Sequence, residues 1–149
     1  MNQSKFQTEN SFNAFTLRLT SYMMDFHPDK MDDIQLINER GQMAAETFAQ
    51  CSMAGMNVDE CMQQAEKTLY AGLLFSPYLM LEEIVYDHFY YTDDEEETGE
   101  FIMQMLDMVK PLIDSYKPGD DFKGTYQYTT LYGQIIQKIN DYLSTNGLQ

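Results

Sequence analysis

Residues 21–33 read SYMMDFHPDKMDD. How this stretch is read decides whether the chain opens with two helices meeting at a corner. Upstream of the proline, Phe12, Phe15, Leu19, Tyr22, Met23 and Phe26 recur at helical steps, which puts them on one face of a helix. Ser11 suits its N-cap. Pro28 ends it, because a proline disfavours helical geometry in the residue before it. His27 near a helix C-terminus suits the dipole, and Asp29 is suited to bond nearby backbone N–H groups. The three residues His27, Pro28 and Asp29 therefore read as a structural turn. Asp32 or Asp33 then opens a second helix, where acidic side chains favour the N-terminal dipole.

Working outward, the second helix carries Ile34, Ile37, Gly41, Ala44, Ala45, Phe48 and Cys51 on one stripe. Its small residues predict close approach of another helix. Gly55 suits the C′ position that ends it. Asn57 then caps a third helix from about Val58 to Phe75, with Glu60 at the box position. Its stripe is Val58, Cys61, Met62, Ala65, Leu69, Gly72 and Leu73. Ser76 and Pro77 fit the N-cap and first position of a fourth helix reaching about Tyr90. That helix buries Tyr78, Leu81, Val85 and Phe89. A fifth runs from about Thr98 to Tyr116, with Pro111 expected to kink or split it. The last spans about Tyr126 to Ser144. The segment FKGTYQY, residues 122–128, is the one stretch that reads as extended. The expectation is an all-α fold: a flexible N-terminus over 1–10, then one multihelical domain of about six helices over 11–149.

The totals narrow the function classes. The chain has 149 residues, a net charge of −15 and only nine Lys and Arg. Binding of a nucleic-acid backbone needs clustered basic side chains, and an anionic membrane surface needs the same. No nucleic acid and no membrane are therefore expected as partners; basic partners, or simple solubility, remain. The N-terminus has no apolar secretory core, and no apolar run reaches membrane length. Cys51 and Cys61 do not form a CxxC pair, so a cytoplasmic protein with reduced thiols is expected.

The His-Pro-Asp tripeptide is also the mark of J-domain co-chaperones. There, the preceding helix is basic; here residues 11–26 hold one basic side chain, Arg18, and Asp25 adjoins the turn. The acidic chain would be steered away from the acidic surface such a helix meets.

Four pieces in order, SYMMDFHPDKMDD, INERGQMAAETFAQCSMAGMNVDECMQQA, TLYAGLLFSPYLMLEEIVYDHF and DDF…YTTLYGQIIQKINDYLSTNGL, resemble the bacterial domain-of-unknown-function family 1896. The resemblance runs from about Phe12 to Leu148. It implies an all-helical protein with a turn of this type in this place, an anaerobic gut-type bacterium and often a mobile-element neighbourhood. It implies no catalytic residues. His88 departs from the family, which tends to carry a glutamate there, and a usual nearby tryptophan is missing.

Candidate chemistry is sparse. His27, Asp29, Asp32 and Asp33 offer one nitrogen and several oxygens, without the glycine and terminal glutamate of a calcium loop or the nitrogen and sulfur donors of a zinc site. Helix capping accounts for them. Glu82, Glu83, Asp87 and His88 share the fourth helix; acid–base work would need burial and a cleft, and a solvated face is commoner. Cys51 and Cys61 flank the Gly55 turn at similar distances and can face one another as a redox pair, though small buried cysteines are usually core. No catalytic, cofactor-binding or metal residue is assigned, and no cofactor is expected.

What remains is surface. Tyr86, Tyr90 and Tyr91 fall partly off the buried stripe, and Asp93, Asp94, Glu95, Glu96 and Glu97 form the main acidic run. These eight residues are the expected interaction surface of a non-enzymatic protein-interaction or accessory domain, bound by an unidentified protein partner. Two alternatives are an acidic decoy that imitates DNA, which needs carboxylates at phosphate spacing, and a small-ligand receptor or enzyme with a pocket near His27 or His88.

Overall fold

The computed structural model describes residues 2–89 and 92–146, and of residues 2–8 the backbone alone. Six helices account for the architecture, with no strand among the described residues: α1 (Asn2–Phe26), α2 (Ile34–Met53), α3 (Val58–Tyr70), α4 (Pro77–His88), α5 (Glu95–Ser115) and α6 (Tyr126–Thr145). The protein is all-α. Two single 3₁₀ turns, Pro28–Lys30 and Phe122–Gly124, join helices. Among the described residues no helix is long and apolar enough to cross a membrane. The chain divides into two compact units, Met1–Leu73 and Leu74–Gln149.

The first unit holds α1, α2 and α3. Phe15, Leu19 and Met23 from α1 meet Ile37, Ala44 and Ala45 from α2 and Ala65 and Leu69 from α3. Gly41 explains the closeness of α1 and α2. A Cβ built there would stand 2.4 Å from Cγ2 of Thr16. Thr16 has little freedom to yield, because its hydroxyl donates to the Asn13 carbonyl at 2.9 Å. The small-residue stripe thus does what its composition predicts.

The boundaries follow local chemistry, with corrections. Ser11 is not a cap: α1 continues back to Asn2, so most of the segment expected as a flexible N-terminus is helical. Nothing in NQSKFQTENS, without glycine or proline, breaks a helix. Asp33 caps α2 by accepting from the Leu36 amide at 3.1 Å, and Asn57 caps α3 by accepting from the Glu60 amide at 2.8 Å. Helix α3 stops at Tyr70, five residues before the expected end, where Gly72 takes a φ of +79° that suits glycine. Arg40 of α2 reaches this end and donates to the carbonyls of Thr68, Leu69 and Ala71. That cation satisfies carbonyls a helix C-terminus leaves open. Three large apolar residues expected on buried stripes, Phe26, Ile34 and Val58, are exposed. Each stands in a terminal turn of its helix, where a stripe runs past its neighbour.

The second unit packs α4, α5 and α6 around Leu81, Ile84, Ile102, Met105, Val109, Leu131, Ile135 and Ile139. Ser76 caps α4 by accepting from the Leu79 amide at 3.0 Å, and Pro77 holds the first position. Helix α4 ends at His88, before the expected Tyr90, and Tyr90 and Tyr91 lie outside the described residues. Helix α5 starts at Glu95, three residues before Thr98, because Asp94 accepts from the amides of Glu96 and Glu97. Pro111 does not split α5, which runs on to Ser115 with the proline on its exposed side. Residues 122–128 are not extended. Phe122 is buried against Phe75, Tyr116 and Tyr128, its segment forms a 3₁₀ turn, and Thr125 caps α6.

Gly41 yields a test with a sign. In the native background Gly41→Ala gains about 1 kcal/mol of helix propensity but drives its methyl into Thr16, an overpacking worth about 1–3 kcal/mol. Net destabilisation is expected in urea melts. In a Thr16→Ser background, which removes Cγ2 and keeps the hydroxyl, the same change should stabilise. Equal effects in both backgrounds would refute the close contact.

Candidate functional site

The corner at residues 26–30 is a buried structural joint. His27 is 1% exposed. Its Nε2 lies 2.7 Å from the Leu73 carbonyl oxygen. A carbonyl only accepts, so Nε2 carries the hydrogen and donates. The Tyr22 hydroxyl donates to the same oxygen at 2.8 Å. The end of α1 is thereby tied to the segment that follows α3. The ring's other nitrogen, Nδ1, has no hydrogen-bond partner, and neither does buried Oδ1 of Asp29. Asp29 was expected to bond backbone amides in the turn; the 3₁₀ turn has no side-chain cap, and its backbone closes through Lys30 N to His27 O at 2.8 Å instead. A histidine enclosed in this way has no surface to offer a chaperone.

The residues considered for a metal at this corner are not brought together. Asp33 is engaged in capping, Asp32 is exposed, and no group of three or more His, Cys, Asp or Glu side chains among the described residues is arranged to hold a metal ion. Cys51 and Cys61 are both buried and face one another across the α2–α3 turn. Burial, first, and then contact with Cys51 push the Cys61 thiol up to about 11.

In the second unit the structure places side chains together that the sequence left apart. His88 Nε2 lies 3.1 Å from the Tyr132 hydroxyl, and Tyr128 donates its hydroxyl to Glu83 at 3.3 Å. The rings of Tyr128 and Tyr132 are 6.0 Å apart. Glu83, Asp87 and His88 are themselves exposed. Burial, then the Glu83 charge and its hydrogen bond, push the Tyr128 phenol up to about 12. Such a phenol is no base near neutral pH. Tyr128 and Tyr132 stand one turn apart on α6, a spacing that gives a shared face but not its neighbour. A separate open groove of about 330 Å³ is lined by Met108, Lys138, Asp141, Tyr142, Thr145 and Asn146, and includes neither histidine.

Of the expected interaction surface, Tyr86 is 59% exposed on α4. Asp93, Asp94, Glu95, Glu96 and Glu97 are all exposed at the start of α5. None of the five pairs with a basic side chain among the described residues. Asp94 alone has structural work, as the cap.

Residues 7–148 match the family described as Domain of unknown function (DUF1896). The chain belongs to that family. The crystal structure of protein PG0816 from Porphyromonas gingivalis resembles this fold with a TM-score of 0.85 at 22% identity, over 95% of this chain and 97% of that one. At that identity the likeness speaks for the fold alone. No curated protein matches the chain. Within this DUF1896 protein, then, function has to be argued from its own surface.

Two predictions follow from the geometry. Tyr22→Phe and His27→Phe each remove one donor from the Leu73 carbonyl, and the second removal strips its last. The double variant should lose more than the sum of the singles, by about 0.5–3 kcal/mol in a double-mutant cycle; strict additivity would show the bonds to be independent. At alkaline pH, the raised Tyr128 phenol contributes stability that is present below the ordinary tyrosine value of 10.0 and is lost as pH climbs through about 12. The melting temperature should fall over that window, and Tyr128→Phe should fall less steeply.

Proposed function

We propose that the protein is a non-enzymatic helical interaction domain, acting in the cytoplasm, that presents Tyr86 and the carboxylates of residues 93–97 to a basic protein partner. The observation that carries this reading is an exposed phenol on α4 and five exposed carboxylates at the start of α5, none of them paired with a basic side chain among the described residues. An aromatic face attracts Arg and Lys through its ring. Carboxylates bind the same groups by charge-assisted hydrogen bonds. A net charge of −15 adds long-range steering of a cationic partner. The helix-start position concentrates the carboxylates at one place rather than along a line, which favours a basic protein surface over imitation of a phosphate backbone. The association of such proteins with mobile elements, implied by the family resemblance, makes an accessory factor the natural setting.

The test is affinity capture of the tagged chain from its native cells at low and high salt, with mass spectrometry. Two variants are run beside it: Tyr86→Ala, and Asp93→Asn with Glu95→Gln, Glu96→Gln and Glu97→Gln. Asp94 is left intact as a cap. A basic partner held by the wild type should be weakened by Tyr86→Ala by about tenfold or more, the scale of an aromatic anchor. It should lose its salt dependence in the charge variant. A partner retained equally by all three would remove this surface from the interaction.

A further inference from the structure

The turn between α2 and α3 brings three sulfur atoms together. Cys51, Met56 and Cys61 are spaced five apart, as C-x₄-M-x₄-C. Cys51 lies in the last turns of α2 and Cys61 in the first turns of α3. Gly55, at a φ of +87°, reverses the chain between them, a geometry that suits glycine. The reversal sets Met56 between the two cysteines. Its Sδ accepts from the Cys51 thiol at 3.2 Å, and its carbonyl accepts from the Cys61 thiol at 3.7 Å. The two thiols interact directly with each other. Both cysteines are buried, whereas Met56 is 41% exposed.

We propose that Cys51, Met56 and Cys61 form a binding site for a soft monovalent cation, copper(I). This goes beyond the interaction surface, which lies in the other unit. Donor chemistry selects the ion. Thiolate and thioether sulfurs are soft and suit copper(I). Zinc takes four nitrogen, sulfur or oxygen ligands in a structural site, and only three sulfurs converge here. Hard cations need oxygen cages. Binding is balanced without redox change: one copper(I) enters, the two thiols release two protons to solvent, and the thioether donates a lone pair. The site gains a net charge of minus one.

On binding, a metal ion displaces the thiol protons by direct bonding.

The experiment is an anaerobic titration of the full chain against copper(I) held by the chromophoric chelator bathocuproine disulfonate. The wild type should withdraw one equivalent. Cys51→Ser and Cys61→Ser should each withdraw none at the same chelator concentration. Met56→Leu should weaken withdrawal by about tenfold or more, the low end of what a lost supporting group costs a metal site. Met53→Leu, at a neighbouring exposed methionine, should match the wild type. Circular dichroism checks that each variant is folded. X-ray absorption at the copper edge of the unsubstituted protein should show three sulfurs and no nitrogen or oxygen, a readout independent of any variant. No withdrawal by the wild type, unchanged withdrawal by Met56→Leu, or a nitrogen- or oxygen-containing shell would each overturn the site.

Discussion

The first unit depends on one acceptor, the carbonyl oxygen of Leu73. It receives the Tyr22 hydroxyl and the His27 Nε2–H, at 2.8 and 2.7 Å. Both donors come from the end of α1, and the acceptor follows α3. Apolar packing of Phe15, Leu19 and Met23 is non-directional and tolerates sliding along the helix. Two hydrogen bonds to one atom do not tolerate it. The bonds fix where α1 stops against α3, and so fix the register at which Thr16 meets Gly41. Arg40 completes the arrangement from α2, holding the carbonyls just before the same segment. Each helix of the unit thereby contributes a polar contact at the end of α3.

Much of this fold was legible in the sequence. Helix stripes, the Gly41–Ala45 seam, the Asn57 and Ser76–Pro77 signals and the stop at Gly55 all follow from local chemistry, and local chemistry is what a sequence displays. The misses have a common cause. The end of α3 moved to Tyr70 because Gly72 adopts a left-handed backbone, and a lone glycine in a helical stripe looks like a packing residue until its φ is known. Residues 122–128 read as extended, but the burial of Phe122 among three other rings holds its segment in a 3₁₀ turn. Long-range partners were invisible throughout. His27 reads in the sequence as a dipole partner at a helix end, although its hydrogen bond is to a residue 46 positions on.

The candidate sites show the same division. Exposure of Tyr86 and the acidic run was readable from their place off the stripe. The Tyr128–Glu83 and His88–Tyr132 pairs were not, since they join α6 to α4 across sequence separations of 45 and 44. The sulfur cluster stood between. Similar spacing about Gly55 points to facing cysteines, whereas a methionine in a loop ordinarily signals nothing beyond apolar surface.

The Leu73 acceptor also has a consequence for the order of events in folding. The α2–α3 turn closes a short loop, and its contacts form at little cost in chain entropy. The His27 and Tyr22 bonds span 46 and 51 residues. They cannot form until that helical hairpin exists and α1 has been laid against it. Closing loops of that length costs more chain entropy than closing the turn, and an interaction formed late governs how slowly a protein unfolds more than how quickly it folds. The buried histidine is then best understood as a latch: it adds little to the search for the native state and much to the lifetime of that state once reached.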